Sequence, residues 1–377
     1  MHVVVCTVVH HPADARIYFR QIRALLDAGH RVTYIAPFGE AGAPGLPPER
    51  AVASVTAVTI PRAAGRRRLG ALRAARAALA RHAPGADLLL VHDPELLLVL
   101  PPRKKRPPTV WDVHEDTAAA LTTKAWLPGF LRPAAAGGVR FAERLAERRL
   151  HLILAEHGYR ARFRRPHPVV PNTTYVPGTA APPSGPRRVV YVGHISPDRG
   201  SAEMVSLARL LAPHGISVEL IGPADAAARA HIEAAGDLVN WHGFVPNEQA
   251  LRLAEGALAG LSLLHDEANF AHSMPTKVVE YMARGVPVIT TPLPLAAGLV
   301  QDAGCGFVVG FGDVRAAADA VLKLDGDPGL RAAMGARGHE AARKSLGWPA
   351  DARAFVTQLE AWARKPSRIA APSRPAP

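Results

Sequence analysis

The chain has 377 residues, of which 48% are hydrophobic, and it holds two cysteines, Cys6 and Cys305. This length predicts two globular domains, and the scarcity of cysteine excludes a disulfide framework or a cysteine-rich metal site. The start of the sequence lacks the basic leader and cleavage site of a signal peptide, so we expect a cytoplasmic protein. The most apolar window, residues 88–100, is too short to span a bilayer and contains ionisable residues, which leaves only peripheral membrane contact.

The formal net charge of +13 belongs to the N-terminal half of the chain. Residues 1–172 hold 26 Lys and Arg against 13 Asp and Glu, whereas residues 173–377 hold 19 against 19. The excess is concentrated at 66–81, 103–106 and 160–165. Such asymmetry suits an anionic partner, namely a membrane surface, a phosphorylated acceptor or nucleic acid, and it equally suits a solvated arginine-rich surface.

The first half of the chain alternates between strand and helix patterns. The apolar run at 3–9 predicts a buried strand, 17–28 predicts an amphipathic helix that ends at Gly29, and 31–36 predicts a second strand. The alternation continues with a helix near 69–82, strands at 87–92 and 109–113, a helix near 137–149 and a strand at 151–155. This order predicts a doubly wound parallel sheet, whose ligands bind beyond the C-terminal ends of the strands. His10, His92 and His114 each follow a predicted strand, so we expect them to line one cleft.

The second half repeats the same alternation after a change in composition. Residues 173–186 are rich in Pro, Gly, Thr and Ala and predict a linker between domains. The strands predicted beyond it lie at 188–192, 217–221, 238–241, 259–264, 287–290 and 306–309. We therefore expect an α/β protein of two Rossmann-like doubly wound domains, at 1–172 and 187–346. A further helix is predicted at 347–364, and the tail at 365–377 has the composition of a disordered segment.

The most informative segment runs from Ser273 to Thr291 and predicts a polar loop, a short helix and a buried strand. Pro275 lies where the helix begins, and there the free backbone N–H groups and the helix dipole favour an anion. Lys277 adds a positive charge, and Glu280 projects from the same helix face, where its carboxylate can accept two hydrogen bonds from a ribose diol. Spacing alone favours the simpler alternative, a surface ion pair on an amphipathic helix.

This segment resembles the nucleotide-sugar site of family 4 glycosyltransferases, which are retaining enzymes of the two-domain GT-B architecture. Segments at 7–17, 92–96, 111–116 and 191–200 agree with the same family, so the resemblance extends from residue 1 to about residue 362. It implies two Rossmann-like domains that face each other across a cleft, a UDP-sugar donor, and a final helix that crosses back to the N-terminal domain.

The resemblance assigns a phosphate-binding loop to the second domain. Gly193 ends a strand, and the loop from His194 to Arg199 would reach the donor phosphates. Arg199 and Lys277 together would offset the charge that develops on the departing nucleoside diphosphate. His194 takes a position where the family usually has a basic residue, although histidine is a weaker cation at neutral pH. The alternative for Arg199 is a loop arginine that pairs with Asp198.

Further donor contacts follow from the same resemblance. Phe244 and Val245, which precede Pro246, match the position where the family holds uracil through backbone groups. The family has a glutamate eight positions before Glu280, where this chain has His272. The donor sugar is then expected to contact the loop at the start of the helix, whose residues are His272, Ser273, Met274, Pro275 and Thr276.

In the first domain the resemblance points to His114, which matches a histidine that lies against the donor sugar. The alternative is a histidine that caps a helix or lines the cleft wall. The loop with His11, Asp14 and Arg16 would contact the acceptor or the phosphates, or else it supplies a helix N-cap and a first-turn partner.

We assign no metal to the site. Asp325-Gly-Asp327 is explained by a turn and a helix start, and His10 and His11 lack further ligands at zinc spacing. The basic first domain predicts peripheral contact with an anionic membrane, and the apolar and basic residues of 124–132 suit either a lipid headgroup layer or packing within their own domain. Specific nucleic-acid binding is not expected, because aromatic residues do not interleave with the arginines.

The sequence thus predicts a bacterial, cytoplasmic glycosyltransferase without a cofactor. It would move a hexose or N-acetylhexosamine from a UDP-sugar to the hydroxyl of a saccharide, lipid-linked or small-molecule acceptor, in polysaccharide or natural-product biosynthesis. The resemblance implies retention, and front-face attack assisted by the departing phosphate is the hypothesis consistent with the absence of an evident nucleophile. The alternatives are a catalytically degenerate nucleotide-sugar-binding module and a basic nucleic-acid-binding protein. A nicotinamide enzyme is disfavoured, since no G-x-G-x-x-G follows the first strand.

Overall fold

The computed structural model describes residues 1–39, 55–123, 128–182 and 186–364. These residues form two compact units. Unit 1 contains Met1–Pro171 and the described chain from Ala350 onward, and unit 2 contains Asn172–Pro349. The predicted tail at 365–377, residues 183–185 of the predicted linker and residues 124–127 of the apolar and basic segment lie outside the described residues.

Unit 1 is built on a six-stranded parallel sheet. Its strands are β1 (His2–Cys6), β2 (Arg31–Ala36), β3 (Val55–Thr59), β4 (Leu88–Val91), β5 (Thr109–Val113) and β6 (His151–Leu154), in the order β3-β2-β1-β4-β5-β6. Strands β1 and β4 are almost wholly buried, as expected for central strands that helices cover on both faces. The sequence patterns missed β3, since this edge strand is largely exposed and has no continuous apolar run.

The helices of unit 1 follow the predicted alternation. They are α1 (Arg23–Asp27), which continues a π-helical segment at Ile17–Ile22, α2 (Arg68–His82), α3 (Thr117–Thr123) and α4 (Arg132–Arg149). Helix α2 buries Ala71, Ala75 and Leu79, which share one face at helical spacing, and exposes Arg73 and Arg76. The apolar stripe of this basic helix is therefore narrow and made mostly of alanine.

Unit 2 repeats the architecture of unit 1. Its strands are β7 (Arg188–Val192), β8 (Ser217–Ile221), β9 (Val239–Trp241), β10 (Ala259–Ser262), β11 (Val288–Thr290) and β12 (Gly306–Val308), in the order β12-β11-β10-β7-β8-β9. Its helices are α5 (Ser201–Leu211), α6 (Ala226–Ala235), α7 (Asn247–Ala254), α8 (Thr276–Ala283), α9 (Pro294–Ala303), α10 (Val314–Gly326) and α11 (Pro328–Ser345). All strand pairs are parallel in both sheets, which confirms the prediction of two doubly wound Rossmann-like domains.

The last helix, α12 (Trp348–Arg364), begins in unit 2 and continues in unit 1. In unit 1, Glu360 is 3.0 Å from the Nε2 atom of His30, and the ring of Trp362 stacks on that of His151 at 4.6 Å between centroids. The start of the predicted linker is held by unit 2, because Thr174 pairs with Leu346 and Trp348 through backbone hydrogen bonds of 3.0 and 2.8 Å.

Each sheet has a point where the strand order reverses, between β1 and β4 in unit 1 and between β7 and β10 in unit 2. The loops that follow such a pair of strands run in opposite directions and leave a crevice where ligands bind in folds of this kind. In the part of the chain that the structure describes, no helix combines the length and the apolar character needed to cross a membrane.

Candidate active site

In unit 2, Lys277 lies in the first turn of helix α8, beyond the carboxyl end of β7. Pro275 occupies the N-cap position, and no side chain caps the helix. The Lys277 side chain is 6% exposed, and its Nζ atom is 4.6 Å from the centroid of the Tyr191 ring. The amine is therefore held next to a helix N-terminus, where the dipole favours an anion.

Gly193 brings the loop after β7 against this lysine. Its φ of +127° is a conformation that L side chains rarely adopt. The Cε atom of Lys277 would lie 3.6 Å from a Cβ at Gly193, which shows how closely the lysine approaches this backbone. Gly222, on the neighbouring loop, is tighter still, since a Cβ there would come within 2.0 Å of the Gly193 carbonyl oxygen.

Arg199 supplies a second positive charge. It ends the 3₁₀ turn Pro197–Arg199, and Gly200 follows in the left-handed conformation before helix α5. The guanidinium carbon lies 5.7 Å from the centroid of the Phe270 ring. Asp198, the partner expected under the structural alternative, instead accepts a hydrogen bond from Ser196. No carboxylate of the described residues forms an ion pair with Arg199.

We call Lys277 and Arg199 the cation pair. Burial lowers the pKa of Lys277, the charge of Arg199 lowers it further, and Glu280 and Asp198 oppose them, which leaves a pKa of about 7. A lysine with its pKa so depressed is costly to protonate where it stands. The cation pair can therefore stabilise an anion that enters the site, and that anion would in turn restore the charge of Lys277.

Glu280 is also buried, at 4% exposure, and its Oε1 atom accepts a 3.0 Å hydrogen bond from the side-chain amide of Asn247. The burial of Lys277 and Glu280 shows that the alternative of a surface ion pair is wrong. Asn247 was not a predicted site residue. It is the first residue of helix α7, and asparagine at a helix start is ordinarily read as a cap.

The remaining residues that were predicted to bind the sugar donor belong to unit 2, like helix α8. His194 is exposed, and its carbonyl oxygen accepts a 2.6 Å hydrogen bond from the Tyr191 hydroxyl. His272 is exposed as well. Most of the others are half-buried and Pro275 is buried; these residues are Ser273, Met274, Pro275, Thr276, Phe244 and Val245. Except for Thr276, the first residue of helix α8, they lie on loops that follow strands of unit 2, where ligands bind in folds of this kind.

In unit 1, residues that follow β1, β4 and β5 meet at the reversal of strand order. The Nε2 atom of His10 lies 3.2 Å from the Oδ1 atom of Asp93 and 2.9 Å from the Nε2 atom of His114. Asp93 also accepts hydrogen bonds from the Thr7 hydroxyl and from the backbone N–H of Val8. The carboxylate is thus held rigidly and has its charge compensated.

The pKa values of these groups are strongly perturbed. Burial disfavours the charged form of His10, but Asp93, Asp14 and Glu115 outweigh it and raise the His10 pKa to about 10. Burial would raise the Asp93 pKa, but the hydrogen bond and charge of His10 hold it well below its usual range. Burial and the nearby His10 charge lower the His114 pKa. In this arrangement the His10 imidazole is protonated and positively charged, and the His114 imidazole is neutral.

Arg16 and Asp112 form a buried ion pair in which the Nε and Nη2 atoms each contact a carboxylate oxygen at 2.7 Å. Asp14 lies just before the π-helical segment at Ile17–Ile22, and its Oδ1 atom accepts hydrogen bonds from the N–H groups of Arg16 and Ile17 at 2.8 and 2.9 Å. These contacts favour the structural alternative for Asp14 and Arg16. His11 accepts a 3.1 Å hydrogen bond from the N–H of Ala13.

A cavity of about 300 Å3 opens at this end of the unit 1 sheet. Its lining includes His10, His92, Asp93, His114 and Glu115, which confirms the prediction that the three histidines line one cleft. The ring of His114 faces inward: its Nδ1 atom is 3.1 Å from the Asp112 carbonyl oxygen and its Nε2 atom faces His10.

The carboxylates of the Asp325-Gly-Asp327 motif have structural roles at a turn and a helix start, as predicted. Asp325 forms an ion pair with Arg187, and Asp327 caps helix α11 by accepting a 2.8 Å hydrogen bond from the N–H of Leu330. Both carboxylates therefore have structural partners.

Comparison with known proteins agrees with this geometry. Residues 178–341 match the family described as glycosyl transferases group 1. The protein is a transferase enzyme. The matched region contains Lys277, Arg199 and Glu280, which the sequence predicts to bind a nucleotide, and it also contains Asn247. No curated protein sequence matches the chain.

Solved structures are similar over nearly the whole chain. Sucrose-phosphate synthase from Thermosynechococcus elongatus is 19% identical, with a TM-score of 0.71 over 96% of this chain and 98% of that one. Anabaena HepE in complex with UDP-glucose is 14% identical, with a TM-score of 0.69 over 96% and 100%. WaaG, a glycosyltransferase of lipopolysaccharide biosynthesis, is 14% identical, with a TM-score of 0.67 over 95% and 99%. These likenesses confirm the predicted fold, with two α/β domains of the GT-B type.

Proposed function

We propose that the protein is a retaining glycosyltransferase of family 4 type that transfers a hexose or N-acetylhexosamine from a UDP-sugar to a hydroxyl acceptor. The observation that carries the proposal is the cation pair, which lies beside an uncapped helix N-terminus and has no carboxylate partner among the described residues. A pyrophosphate is the anion that two adjacent cations and a row of backbone N–H groups suit best.

The ribose and base of the donor would lie next to the phosphates. Glu280 presents a buried carboxylate that Asn247 orients through a hydrogen bond to Oε1, and a carboxylate is the group that accepts two hydrogen bonds from a ribose diol. Phe244 and Val245 immediately precede Asn247, and their backbone would hold the uracil. The same short loop and helix start thus serve both base and ribose. HepE binds UDP and UDP-glucose, which supports this choice of donor.

Transfer would proceed by front-face attack. The acceptor oxygen forms a bond to the anomeric carbon while the bond to the diphosphate oxygen breaks, and the acceptor proton moves to the departing phosphate. Lys277 and Arg199 stabilise the negative charge that grows on that phosphate, which is the largest contribution expected of fixed charges in such a site. The reaction assigns no step to a metal ion. A contact of His114 with the donor sugar, which the family resemblance implies, is part of this proposal.

The donor assignment is tested by thermal unfolding with UDP-, GDP- and dTDP-sugars. A ligand present at 100 times its Kd stabilises the folded state by about 2.7 kcal/mol, which is readily measured as a rise in Tm. We expect UDP-sugars to stabilise the protein and Glu280→Ala to remove most of that effect. Glu233→Ala, an exposed glutamate on α6, is the matched control and should respond like the unmodified protein.

Stabilisation by only a non-uridine nucleotide, or unchanged stabilisation of Glu280→Ala, would contradict the assignment. The anomeric configuration of the product, followed by NMR from a substrate of known configuration, tests retention, and inversion would reject it. Tight UDP binding with neither transfer nor hydrolysis of any UDP-sugar would favour the alternative of a degenerate binding module.

We also propose that the basic face of unit 1 contacts an anionic surface on the acceptor side, in a cytoplasmic enzyme that acts at the membrane. The exposed Arg73 and Arg76 of α2 support this, since basic residues near an anionic membrane contribute about 1 kcal/mol each. Sedimentation with phosphatidylglycerol vesicles should fall for the double variant Arg73→Glu, Arg76→Glu and at high salt. Equal sedimentation with neutral vesicles would contradict the proposal.

A further inference from the structure

A second, smaller pocket lies at the amino end of the unit 1 sheet. Its lining includes Thr109 and His151, the first residues of β5 and β6, together with the loop before β5 and the last residue of α4. The cavity with the three histidines lies beyond the carboxyl ends of the same strands. Because β5 has five residues, the two ends of the sheet are about 13 Å apart there. The pocket is therefore distinct from the candidate active site.

Three arginines line this pocket. They are Arg103 from the turn at Arg103–Lys105, Arg106 from the loop that follows, and Arg149 from the end of α4. No carboxylate of the described residues belongs to the lining. The basic cluster at 103–106 is evident in the sequence, but the proposed membrane contact through α2 does not use it. Its charge therefore needs a separate explanation.

The positive charge of Arg106 is not compensated within the protein. Its Nη1 atom is buried and has no hydrogen-bond partner. No carboxylate of the described chain forms an ion pair with Arg106 or Arg149. Burial lowers the pKa of Arg106, and the positive charges of Arg103 and Arg149 lower it further. A guanidinium nevertheless stays protonated, so a partly buried charge lies among like charges, and an anion that enters the pocket would relieve this cost.

His151 gives the pocket a fixed wall. Its ring stacks on that of Trp362 from α12, with 4.6 Å between the centroids and 16° between the planes. Burial lowers the pKa of His151, and the charge of His167 lowers it further, so the ring is neutral at pH 7. A neutral imidazole has one N–H group, which can donate to an oxygen of a bound anion.

A phosphate group is the anion that fits this pocket best. The planar fork of an arginine matches the oxygens of a phosphate, and the exposed Arg103 and Arg149 can turn toward one. A phosphate monoester carries nearly two negative charges at neutral pH, which three guanidinium groups can compensate, whereas a carboxylate carries only one. The pocket is small and open to solvent, so it has room for one phosphate group but not for a sugar ring or a base.

We propose that unit 1 binds one phosphate group in the pocket formed by Arg103, Arg106, Arg149 and His151. The group is either inorganic phosphate or the phosphomonoester of a lipid headgroup, since both present the same oxygens and charge. The site lies outside the proposed transferase reaction and contributes no residue to it. A phosphate bound there would stabilise unit 1 or hold it at a surface that carries phosphomonoesters.

The test compares thermal unfolding of the full chain in sodium phosphate and in sodium chloride at equal ionic strength. Because phosphate can also bind at the cation pair of unit 2, the arginine variants are made in the Lys277→Met background. We expect phosphate to raise Tm in this background. Arg106→Met and Arg149→Met should each weaken phosphate binding by about tenfold or more, measured by isothermal titration. Arg31→Met is the matched control, since this exposed arginine lies at the same end of the sheet on the more distant strand β2.

Equal Tm in the two salts would overturn the proposal, and so would phosphate binding that survives both arginine substitutions. Arg149 is exposed, so Arg149→Met tests the site without disturbing the core. Sedimentation with phosphatidylcholine vesicles that contain phosphatidic acid distinguishes the two sources. Sedimentation that falls in Arg149→Met but not in Arg31→Met supports the site and identifies a lipid headgroup. Stabilisation by phosphate without sedimentation supports the site and identifies free phosphate. None of these results depends on whether UDP-sugars bind.

Discussion

The two sites at the strand ends occupy equivalent places in two sheets of the same topology. Among the described residues, their cations have carboxylate partners in unit 1 but not in unit 2. At the strand ends of unit 1, two cations have carboxylate partners: Arg16 binds Asp112, and His10 faces Asp93. In unit 2 Lys277 and Arg199 have no ion-pair partner in the part of the chain that the structure describes. A compensated site is stable without a ligand, whereas an uncompensated one gains most when an anion arrives.

Removal of a carboxylate from unit 1 is expected to have the largest effect on stability. We expect Asp112→Ala to lower the free energy of unfolding of unit 1 by about 3 to 5 kcal/mol, because Arg16 would be left buried without its partner. Urea unfolding followed by hydrogen exchange of peptides from β1 and β5 measures this. Asp27→Ala is the control, since Asp27 lies in an exposed pair with Arg23 and should change stability by less than about 1 kcal/mol. Equal effects of the two substitutions would contradict the distinction.

In unit 2, removal of a charge should affect binding and leave stability intact. We expect Lys277→Met to lower kcat by about 10²- to 10³-fold, because it removes charge stabilisation of the departing phosphate. Its unfolding without ligand should be unchanged or shifted to higher temperature, since a buried amine without an ion-pair partner does not stabilise the fold. Lys344→Met, at an exposed lysine of the same unit, is the matched control. A marked loss of stability in Lys277→Met with normal transfer would contradict the role of Lys277 at the departing phosphate and would indicate a structural role.

Nucleotide binding is expected to depend on pH through Lys277. The pKa of Lys277 is lowered to about 7 by burial and by Arg199, and a bound diphosphate should raise it again. Above pH 7 binding must therefore take up a proton, so affinity should fall as pH rises, by up to about tenfold per pH unit until the bound pKa is reached. Titration of UDP at pH 8 in two buffers of different ionisation enthalpy measures the uptake. Lys277→Met should abolish it, and uptake that persists in this variant would implicate another group.

The smallest expected effect concerns Asn247. We expect Asn247→Ala to weaken UDP binding by about 1 kcal/mol, or about fivefold, because Glu280 loses the hydrogen bond that orients it. Isothermal titration with UDP provides the measurement. Gln249→Ala, at an exposed position of the same helix, should have no effect. If Asn247→Ala weakened binding as strongly as Glu280→Ala, direct contact of the asparagine with the nucleotide would be the better explanation.

Much of the fold could be predicted because buried parallel strands are continuous apolar runs. The runs at 188–192 and 217–221 match β7 and β8 residue for residue. Strand β3 escaped detection because an exposed edge strand has no such run. The donor residues predicted near Lys277 cluster because they lie within one loop and helix, where local spacing is informative.

Contacts between side chains of separate helices, strands and loops could not be predicted from the sequence. His10 and His114, or Asn247 and Glu280, come from separate elements, and only the strand order brings them together. The sequence alone did not distinguish the surface ion pair from a buried site for Lys277, since helical spacing reports which residues share a face but not whether that face is covered.

By itself, then, the sequence determined the two doubly wound domains, their buried strands and the helix that carries Lys277 and Glu280, because periodicity and chain punctuation are local properties. Only the tertiary structure decided which charges are compensated. Arg16 and Arg199 each follow an acidic residue at close range in the chain, yet Arg16 is neutralised by Asp112 from a distant strand, while Arg199 lies over the Phe270 ring with no carboxylate to pair with among the described residues. Ion pairing in a folded protein depends on distance in space, and the reversal of strand order in each sheet sets that distance.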